Sequence, residues 1–122
     1  GEVCHIFPVL FEEKVVGIPK QEFIDVLNSE GIPASAGYPH PLYKNPIFKE
    51  KIAFGDKGCP YSCGFYNKEI DYKEVKCKIA EDMYKKLICI KQIHYPYGIN
   101  DMEDIIKAFN KVFENIEELK VK

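Results

Sequence analysis

The sequence predicts a small α/β domain in which a few mainly antiparallel strands form a sheet covered by helices. Two short runs rich in β-branched and aromatic residues are typical of strands: VCHIFPVLF at 3–11 and LICIKQI at 87–93. Three segments repeat apolar residues at intervals of three and four, which is typical of amphipathic helices. The 122 residues are enough for one hydrophobic core, so 1–122 is expected to be a single domain.

The first half of the chain has well-marked boundaries. The first strand is apolar on both faces and is therefore predicted to be buried. Pro8 confines it to a sheet edge or a bulge, because proline has no backbone N–H to pair. Pro19 suits a first helical position and Gly31 suits the residue after a helix, so KQEFIDVLNSE between them is predicted to be helical. Phe23, Ile24 and Leu27 form the apolar stripe of this helix. The residues IPAS that follow Gly31 predict a short strand.

The second half alternates between irregular and periodic sequence. The segment 49–76 is rich in Cys, Tyr and turn-forming residues and is interpreted as an irregular insertion. Cys77–Lys86 is predicted to be a helix with one apolar side, formed by Ile79, Ala80, Met83 and Tyr84. A last helix is predicted to begin at Asn100, with Glu103 completing a capping box.

The composition excludes several classes of function. A formal net charge of -2 argues against a nucleic-acid partner or an anionic membrane surface. No apolar run approaches the ~20 residues needed to span a membrane, and no secretory signal is visible, so the cytoplasm is the expected location. All seventeen basic residues are lysine. Any anion must therefore be held by lysine, histidine, tyrosine or backbone N–H groups rather than by an arginine fork.

The cysteines allow three interpretations: a zinc site, free thiols or a disulfide. Cys59 and Cys63 in GCPYSCGFY, together with Cys77 and Cys89, could complete a four-cysteine zinc site, although the spacing is looser than usual. Cys77 and Cys89 also lie in apolar patterns, where a free cysteine acts as a small hydrophobic residue. Five cysteines and no secretory signal favour reduced thiols over a Cys59–Cys63 disulfide.

The segment GYPHPLYKNPIF at 37–48 is the main candidate for substrate contacts. Its prolines fix the backbone around Tyr38, His40 and Tyr43, whose side chains can donate and accept hydrogen bonds. Loop packing alone is the alternative interpretation of these three residues. His5 is expected in the core, and His94 opens a second aromatic turn. The carboxylates are expected to have structural roles, since most fall at helix starts or on solvent faces.

The order of motifs resembles the C-terminal part of the DegT/DnrJ/EryC1/StrS family of PLP-dependent sugar and cyclitol aminotransferases. The family's helix, GIP turn and Y-x-x-PL(Y/H)-x-x-P-x-(F/Y) loop are similar to FIDVLNSEGIPASAGYPHPLYKNPIF. The CP-x-x-C-x-Y-Y insertion of a subgroup that includes scyllo-inosose aminotransferases is similar to KGCPYSCGFYNKEIDY. The closing helix, strand and helix are similar to CKIAEDMYKKLICI and HYPYGINDMEDIIKAFNKV. Lys78 and Gln92 depart from the family pattern, which has proline at both positions.

The resemblance implies the small C-terminal domain of a fold type I enzyme. In such an enzyme a large domain holds PLP, and an amino group passes from glutamate or glutamine to a keto-sugar or keto-cyclitol. Tyr38, His40 and Tyr43 would contact the substrate as the small domain closes over it. None of the lysines matches the context of the family's Schiff-base lysine, so this chain alone is expected neither to bind PLP nor to transaminate.

The expected partners are the large PLP-binding domain, the keto-substrate and the amino donor, and the parent enzyme is expected to be a homodimer. The alternative is a non-catalytic binding or scaffold module, stabilised by zinc at Cys59 and Cys63. A regulatory partner of a separately encoded PLP domain is a third hypothesis.

Overall fold

A computed structural model of the chain describes residues 5–52, 54–56, 58–62, 64, 68 and 70–120. These residues form a small mixed α/β structure with one open three-stranded antiparallel sheet and six helices, which confirms the predicted fold class. The strands are β1 (Phe7–Leu10), β2 (Ala34–Ser35) and β3 (Leu87–Ile90). The helices are α1 (Glu13–Val16), α2 (Lys20–Ser29), α3 (Pro46–Lys49), α4 (Lys78–Lys86), α5 (Ile99–Glu114) and α6 (Ile116–Leu119).

The described chain divides into two compact units. The first unit contains residues 5–37 and 85–120, and the second contains Tyr38–Tyr84. The sheet and the long helices α2 and α5 belong to the first unit. The predicted irregular insertion, about 49–76, lies within the second unit. The expectation that 1–122 form a single domain stays a prediction.

The sheet of the first unit has the strand order β1-β3-β2, and both pairings are antiparallel. Pro8 lies opposite Cys89 on the outer strand β1, as expected for a residue that cannot donate a ladder hydrogen bond. The edge position of the first strand is therefore confirmed. Its predicted burial is wrong in part, because Phe7 and Leu10 are exposed. His5 precedes β1 and is also exposed, so its predicted place in the core is wrong.

The core of the first unit joins α2, α5 and β3. Phe23 is 2% exposed, and its ring centroid lies 4.7 Å from that of Phe11, 5.4 Å from that of Phe113 and 6.0 Å from that of Phe109. The predicted stripe of α2 is confirmed, since all three of its members are buried. The buried cluster consists of Phe11, Ile18, Phe23, Ile24, Leu27, Ile32, Ala34, Ile88, Ile90, Ile105, Ala108 and Val112.

The connection from α2 to β2 is held by one side chain. Gly31 adopts φ +85°, which only glycine reaches at low cost, and the chain turns there toward β2. The Asn28 amide donates to the carbonyls of Ile24 and Ala34 at 2.9 and 3.2 Å. Its oxygen accepts the N–H of Ala34 at 3.0 Å. Asn28 therefore satisfies backbone groups of both the helix and the strand, and the predicted short strand is confirmed.

Two predicted helix details are wrong. Pro19 occupies the N-cap of α2 in extended conformation, and the helix begins at Lys20. Gly98, rather than Asn100, is the N-cap of α5, and its N–H donates to the Asp101 carboxylate at 2.7 Å. Asp101 rather than Glu103 thus satisfies the free donor at this helix start, because the N-cap lies two residues earlier than the predicted capping box placed it.

The second unit is mostly irregular among its described residues. A 3-10 turn at Leu42–Lys44 leads into α3, and α4 begins at Lys78. The rings of Phe48 in α3 and of Tyr61 and Tyr72 in the segment between α3 and α4 pack edge-on or tilted, with centroids 5.3 to 6.3 Å apart. Tyr61 is buried. We refer to these three side chains as the aromatic triad. It gives the insertion a small apolar centre.

Within the described part of the chain, no helix combines the length and the apolar character needed to cross a membrane. The strongly apolar strand β3 is only four residues long, and α5 carries charged residues along its outer side. This agrees with the absence of a long apolar run in the sequence.

Candidate functional site

The second unit carries an open cavity of about 330 Å³ beside the proline-rich loop. Its wall is formed by five residues of the loop and one residue of α4: Tyr38, Pro39, His40, Leu42, Asn45 and Tyr84. We refer to it as the loop cavity. Three of these side chains are aromatic or imidazole rings, two are aliphatic, and one is an amide. The volume is at the lower end of the range found for small-molecule sites.

The loop keeps its shape because prolines and backbone hydrogen bonds alternate along it. Pro41 and Pro46 have fixed φ angles, which lowers the number of conformations open to the loop. Between them, the N–H of Lys44 donates to the carbonyl of Pro41 at 2.9 Å, and that of Asn45 to the carbonyl of Leu42 at 3.0 Å. Asn45 has φ −66° and ψ 147°, the extended conformation favoured before proline. The loop is therefore ordered before any ligand binds.

His40 and Asn45 are joined by a hydrogen bond across the loop. The distance from His40 Nε2 to Asn45 Oδ1 is 2.8 Å. Because an amide oxygen only accepts, Nε2 donates, and the neutral imidazole keeps its lone pair on Nδ1. Asn45 stands at the N-cap of α3 but makes no side-chain capping bond there. Its side chain orients the imidazole of His40 instead of capping α3.

Tyr43 is held by α4 in a separate polar contact. Its hydroxyl donates to Glu81 Oε1 and accepts the N–H of Cys77 at 3.4 Å. Lys44 Nζ lies 3.7 Å from the same carboxylate oxygen. The hydrogen bond to Glu81 raises the pKa of the Tyr43 phenol, because it stabilises the protonated hydroxyl, and partial desolvation acts in the same direction. Tyr43 therefore remains a neutral donor well above physiological pH.

The three predicted site residues occupy different positions. The structure brings Tyr38 and His40 together on the wall of the loop cavity, where Tyr38 is 60% exposed. Tyr43 does not line this cavity, and its hydroxyl is engaged by Glu81. Their assignment to substrate contacts stays a prediction.

Asn45 and Tyr84 belong to the site but were missed by sequence reasoning. Asn45 precedes Pro46 and matches the pattern of a helix cap, and Tyr84 matches the apolar side of α4. Both patterns have an ordinary structural explanation. The only available signal was that Asn45 lies five residues from His40 in a proline-rich loop.

The zinc hypothesis receives no support from the part of the chain that the structure describes. Cys59 is half-buried, and its carbonyl accepts the N–H of Phe54 at 2.9 Å. Cys63 lies outside the described residues. Among those that are described, no three His, Cys, Asp or Glu side chains come together as a metal site would require.

The second aromatic turn, which contains His94, Tyr95 and Tyr97, lies in the first unit. His94 Nδ1 lies 2.6 Å from the carbonyl oxygen of Tyr95, and its ring stacks edge-on against that of Tyr97, with centroids 5.5 Å apart. Tyr95 is 93% exposed. The turn is thus stabilised locally, and its histidine is engaged by its own neighbours.

Comparisons with known proteins leave the family open. Scans against protein-family models, curated proteins and solved structures each found no match. The loop cavity and the order of motifs in the sequence therefore carry the functional argument.

Proposed function

We propose that this chain is the small domain of a PLP-dependent sugar or cyclitol aminotransferase, and that its loop cavity binds the hydroxyl-rich body of the keto-substrate. The cavity itself is the observation that carries this proposal: Tyr38 and His40 share its wall, and Asn45 fixes the tautomer of the histidine. The similarity of motifs along the whole chain supplies the reaction class, amino transfer from glutamate or glutamine.

The chemistry of the cavity wall suits a neutral polyol. His40 Nδ1 offers an acceptor, and the Asn45 amide and the Tyr38 hydroxyl offer donors to ring hydroxyl groups. Pro39 and Leu42 supply an apolar surface against which the C–H groups of a sugar ring can pack. Because the loop is already ordered, binding costs little conformational entropy.

PLP itself does not fit the residues that the structure describes. A Schiff-base lysine is activated by desolvation or by a neighbouring cation in a pocket. No charged side chain is fully buried among the described residues, so no lysine there lies in an enclosed, water-free pocket. In this proposal the cofactor is held by another part of the enzyme, and this chain contributes substrate contacts only.

A binding experiment on this chain tests the cavity. Titration with a keto-cyclitol, followed by amide NMR, is expected to shift signals of residues 38–45 and Tyr84. The variants Y38F and H40Q should each weaken binding by about three- to tenfold, the value of one lost hydrogen bond. The matched variants Y95F and H94Q alter the second aromatic turn and should bind as the unaltered chain does. Equal losses in both pairs would contradict the site.

A spectroscopic experiment on the complete open reading frame tests the reaction class. The expected result is a yellow chromophore that bleaches toward the pyridoxamine form when glutamate or glutamine is added. A colourless protein that retains stoichiometric zinc would instead favour the scaffold hypothesis with Cys59 and Cys63 as ligands. The two experiments fail independently, because the first measures the cavity and the second measures the cofactor.

A further inference from the structure

The first unit has an open depression of about 600 Å³ in which charged side chains predominate. Its wall consists of Phe11 and six charged residues: Glu12, Glu13, Lys14, Lys20, Lys85 and Lys86. We refer to it as the lysine depression. Four of the seventeen lysines and two of the nineteen acidic residues lie here, a formal charge of +2. The whole chain has a formal net charge of -2, so the residues outside the depression together carry −4. The depression is therefore a positively charged region of a negatively charged chain.

Both carboxylates of the depression already bind groups that recognise anions. Glu13 Oε1 accepts the N–H of Lys20, the first residue of α2, at 2.9 Å. Glu12 Oε1 lies 2.5 Å from Lys86 Nζ. The chain therefore uses this place to hold two of its own anions, one at a helix start and one on an ammonium group.

The charged residues are held near each other by the backbone. The N–H of Phe11 donates to the carbonyl of Lys86 at 2.8 Å, which fixes the segment 11–14 beside the end of α4. Lys20 is half-buried, and its Nζ donates to the carbonyl of Leu87 at 3.4 Å. The end of β1, the start of α2 and the junction of α4 with β3 thus meet at one place, and the concentration of charge is a property of the fold.

We propose that the lysine depression binds a small dianion of the phosphate monoester class. A charge of −2 balances the formal charge of the depression, and lysine ammonium groups hold phosphate as point charges. The chain contains no arginine, so lysine is the side chain of this chain that supplies a permanent positive charge to an anion site. The volume exceeds that of a bare phosphate and accommodates a monoester with a small body.

A soluble ligand fits better than an anionic membrane. The depression is lined by the carboxylates of Glu12 and Glu13 as well as by lysines, and these carboxylates would repel an extended surface of lipid phosphates. A small ligand can approach the lysines and leave the carboxylates on their existing partners. The experiment below includes both sources of phosphate.

The test is a titration of this chain with inorganic phosphate near neutral pH, followed by amide NMR. Sodium acetate at equal ionic strength is the reference. Phosphate is expected to cause saturable shifts at residues 11–14, 20 and 85–87, and a small sugar phosphate should bind at least as tightly. The variant K14Q/K85Q should weaken binding by about three- to tenfold, because it removes two of the four lysine charges that line this screened, exposed site. The matched variant K49Q/K91Q should stay within about twofold, since it lowers net charge equally outside the depression.

A second variant is expected to strengthen phosphate binding rather than weaken it. E12Q raises the formal charge of the depression to +3 and should tighten phosphate binding by about twofold or more. Three outcomes would overturn the proposal: equal shifts with acetate, equal losses in the two double variants, or weaker binding in E12Q. Binding only to phosphatidylcholine vesicles that contain phosphatidic acid, without binding of inorganic phosphate or sugar phosphate, would also overturn it in favour of a lipid surface. Substitution of an exposed lysine rarely unfolds a protein. Urea unfolding of each variant checks that its stability matches that of the unaltered chain.

Discussion

The two compact units of this chain are stabilised by different kinds of interaction. The first unit buries a continuous cluster of aliphatic and aromatic side chains contributed by α2, α5 and the sheet. In the second unit, Pro41 and Tyr61 are the only buried residues among those described in 38–84. The order of the second unit depends on the aromatic triad, on backbone restricted by proline and on single hydrogen bonds such as that from Tyr43 to Glu81.

This difference suggests that the first unit supplies most of the stability and that the second unit carries the binding residues. Free energy from apolar burial is distributed over many contacts, so the first unit should tolerate surface changes and resist local opening. The second unit depends on a few specific contacts, and each of them positions a side chain of the loop or of its support. Binding residues are commonly found on such loops beside a rigid scaffold. The predictions below test whether the two units respond separately.

The largest effect is expected from F23A in the first unit. Phe23 is 2% exposed and contacts three other phenylalanine rings, so truncation leaves a cavity that the surrounding helices cannot fill. The free energy of unfolding should fall by about 3–5 kcal/mol, which is a large share of the stability of a small protein. Urea unfolding followed by far-UV circular dichroism measures this change.

Phe54 provides the control for F23A, because it is 80% exposed. F54A should change the free energy of unfolding by less than about 0.5 kcal/mol. Similar losses in the two variants would show that burial in the first unit is not the main source of stability. The comparison between the units would then fail.

A smaller and more local effect is expected from Y61A in the second unit. The variant removes the buried member of the aromatic triad, and Phe48 and Tyr72 lose an edge-on partner each. We expect a loss of about 2–4 kcal/mol in the local opening free energy of the described residues of 46–76. Amide hydrogen exchange measures it, since the exchange rates of this segment should rise while those of α2 and α5 stay unchanged.

The opposite pattern in hydrogen exchange would refute independent behaviour. If Y61A accelerated exchange in α2 and α5 as much as in 46–76, the chain would unfold as one cooperative unit. The conservative variant Y61F keeps the ring and should leave exchange in both segments nearly unchanged. A large effect of Y61F would assign the role of Tyr61 to its hydroxyl rather than to its ring.

The elements of the first unit could be predicted from the sequence more fully than the site in the second unit. The stripe of α2 could be predicted because burial repeats with the period of the helix, and Phe23, Ile24 and Leu27 are all buried. Pro8 could be placed on an edge strand because a missing N–H has a fixed consequence in a sheet. These rules act locally along the chain. They give the elements of the first unit without knowledge of what each element contacts.

The site depends on pairings that no periodicity encodes. Tyr43 and Glu81 are 38 residues apart in sequence, and Asn45 could equally have capped α3. The apolar side predicted for α4 was also misleading, since Ile79 is 82% exposed. The sequence grouped Tyr38, His40 and Tyr43 as one set of substrate contacts, but only Tyr38 and His40, two residues apart beside prolines, line the loop cavity.

The smallest effect expected is the titration of Tyr43, which tests one polar bond of the second unit. Glu81 accepts its hydrogen bond, so its folded pKa lies above the usual value of 10.0. A raised pKa means that the folded state holds the proton more tightly than the unfolded state. The stabilisation is therefore complete below the unfolded pKa and is lost as pH rises through the folded pKa.

The variant Y43F isolates this titration. Subtracting its alkaline tyrosinate absorbance curve from that of the unaltered chain should leave one component with a midpoint above 10.0. In E81Q, where the acceptor is neutral, the midpoint of this component should fall toward 10.0. The stability difference between the unaltered chain and Y43F should be constant at neutral pH and shrink in the alkaline range. A midpoint at or below 10.0 in the unaltered chain would mean that Glu81 does not hold the hydroxyl in solution, and that Tyr43 is available to the loop cavity after all.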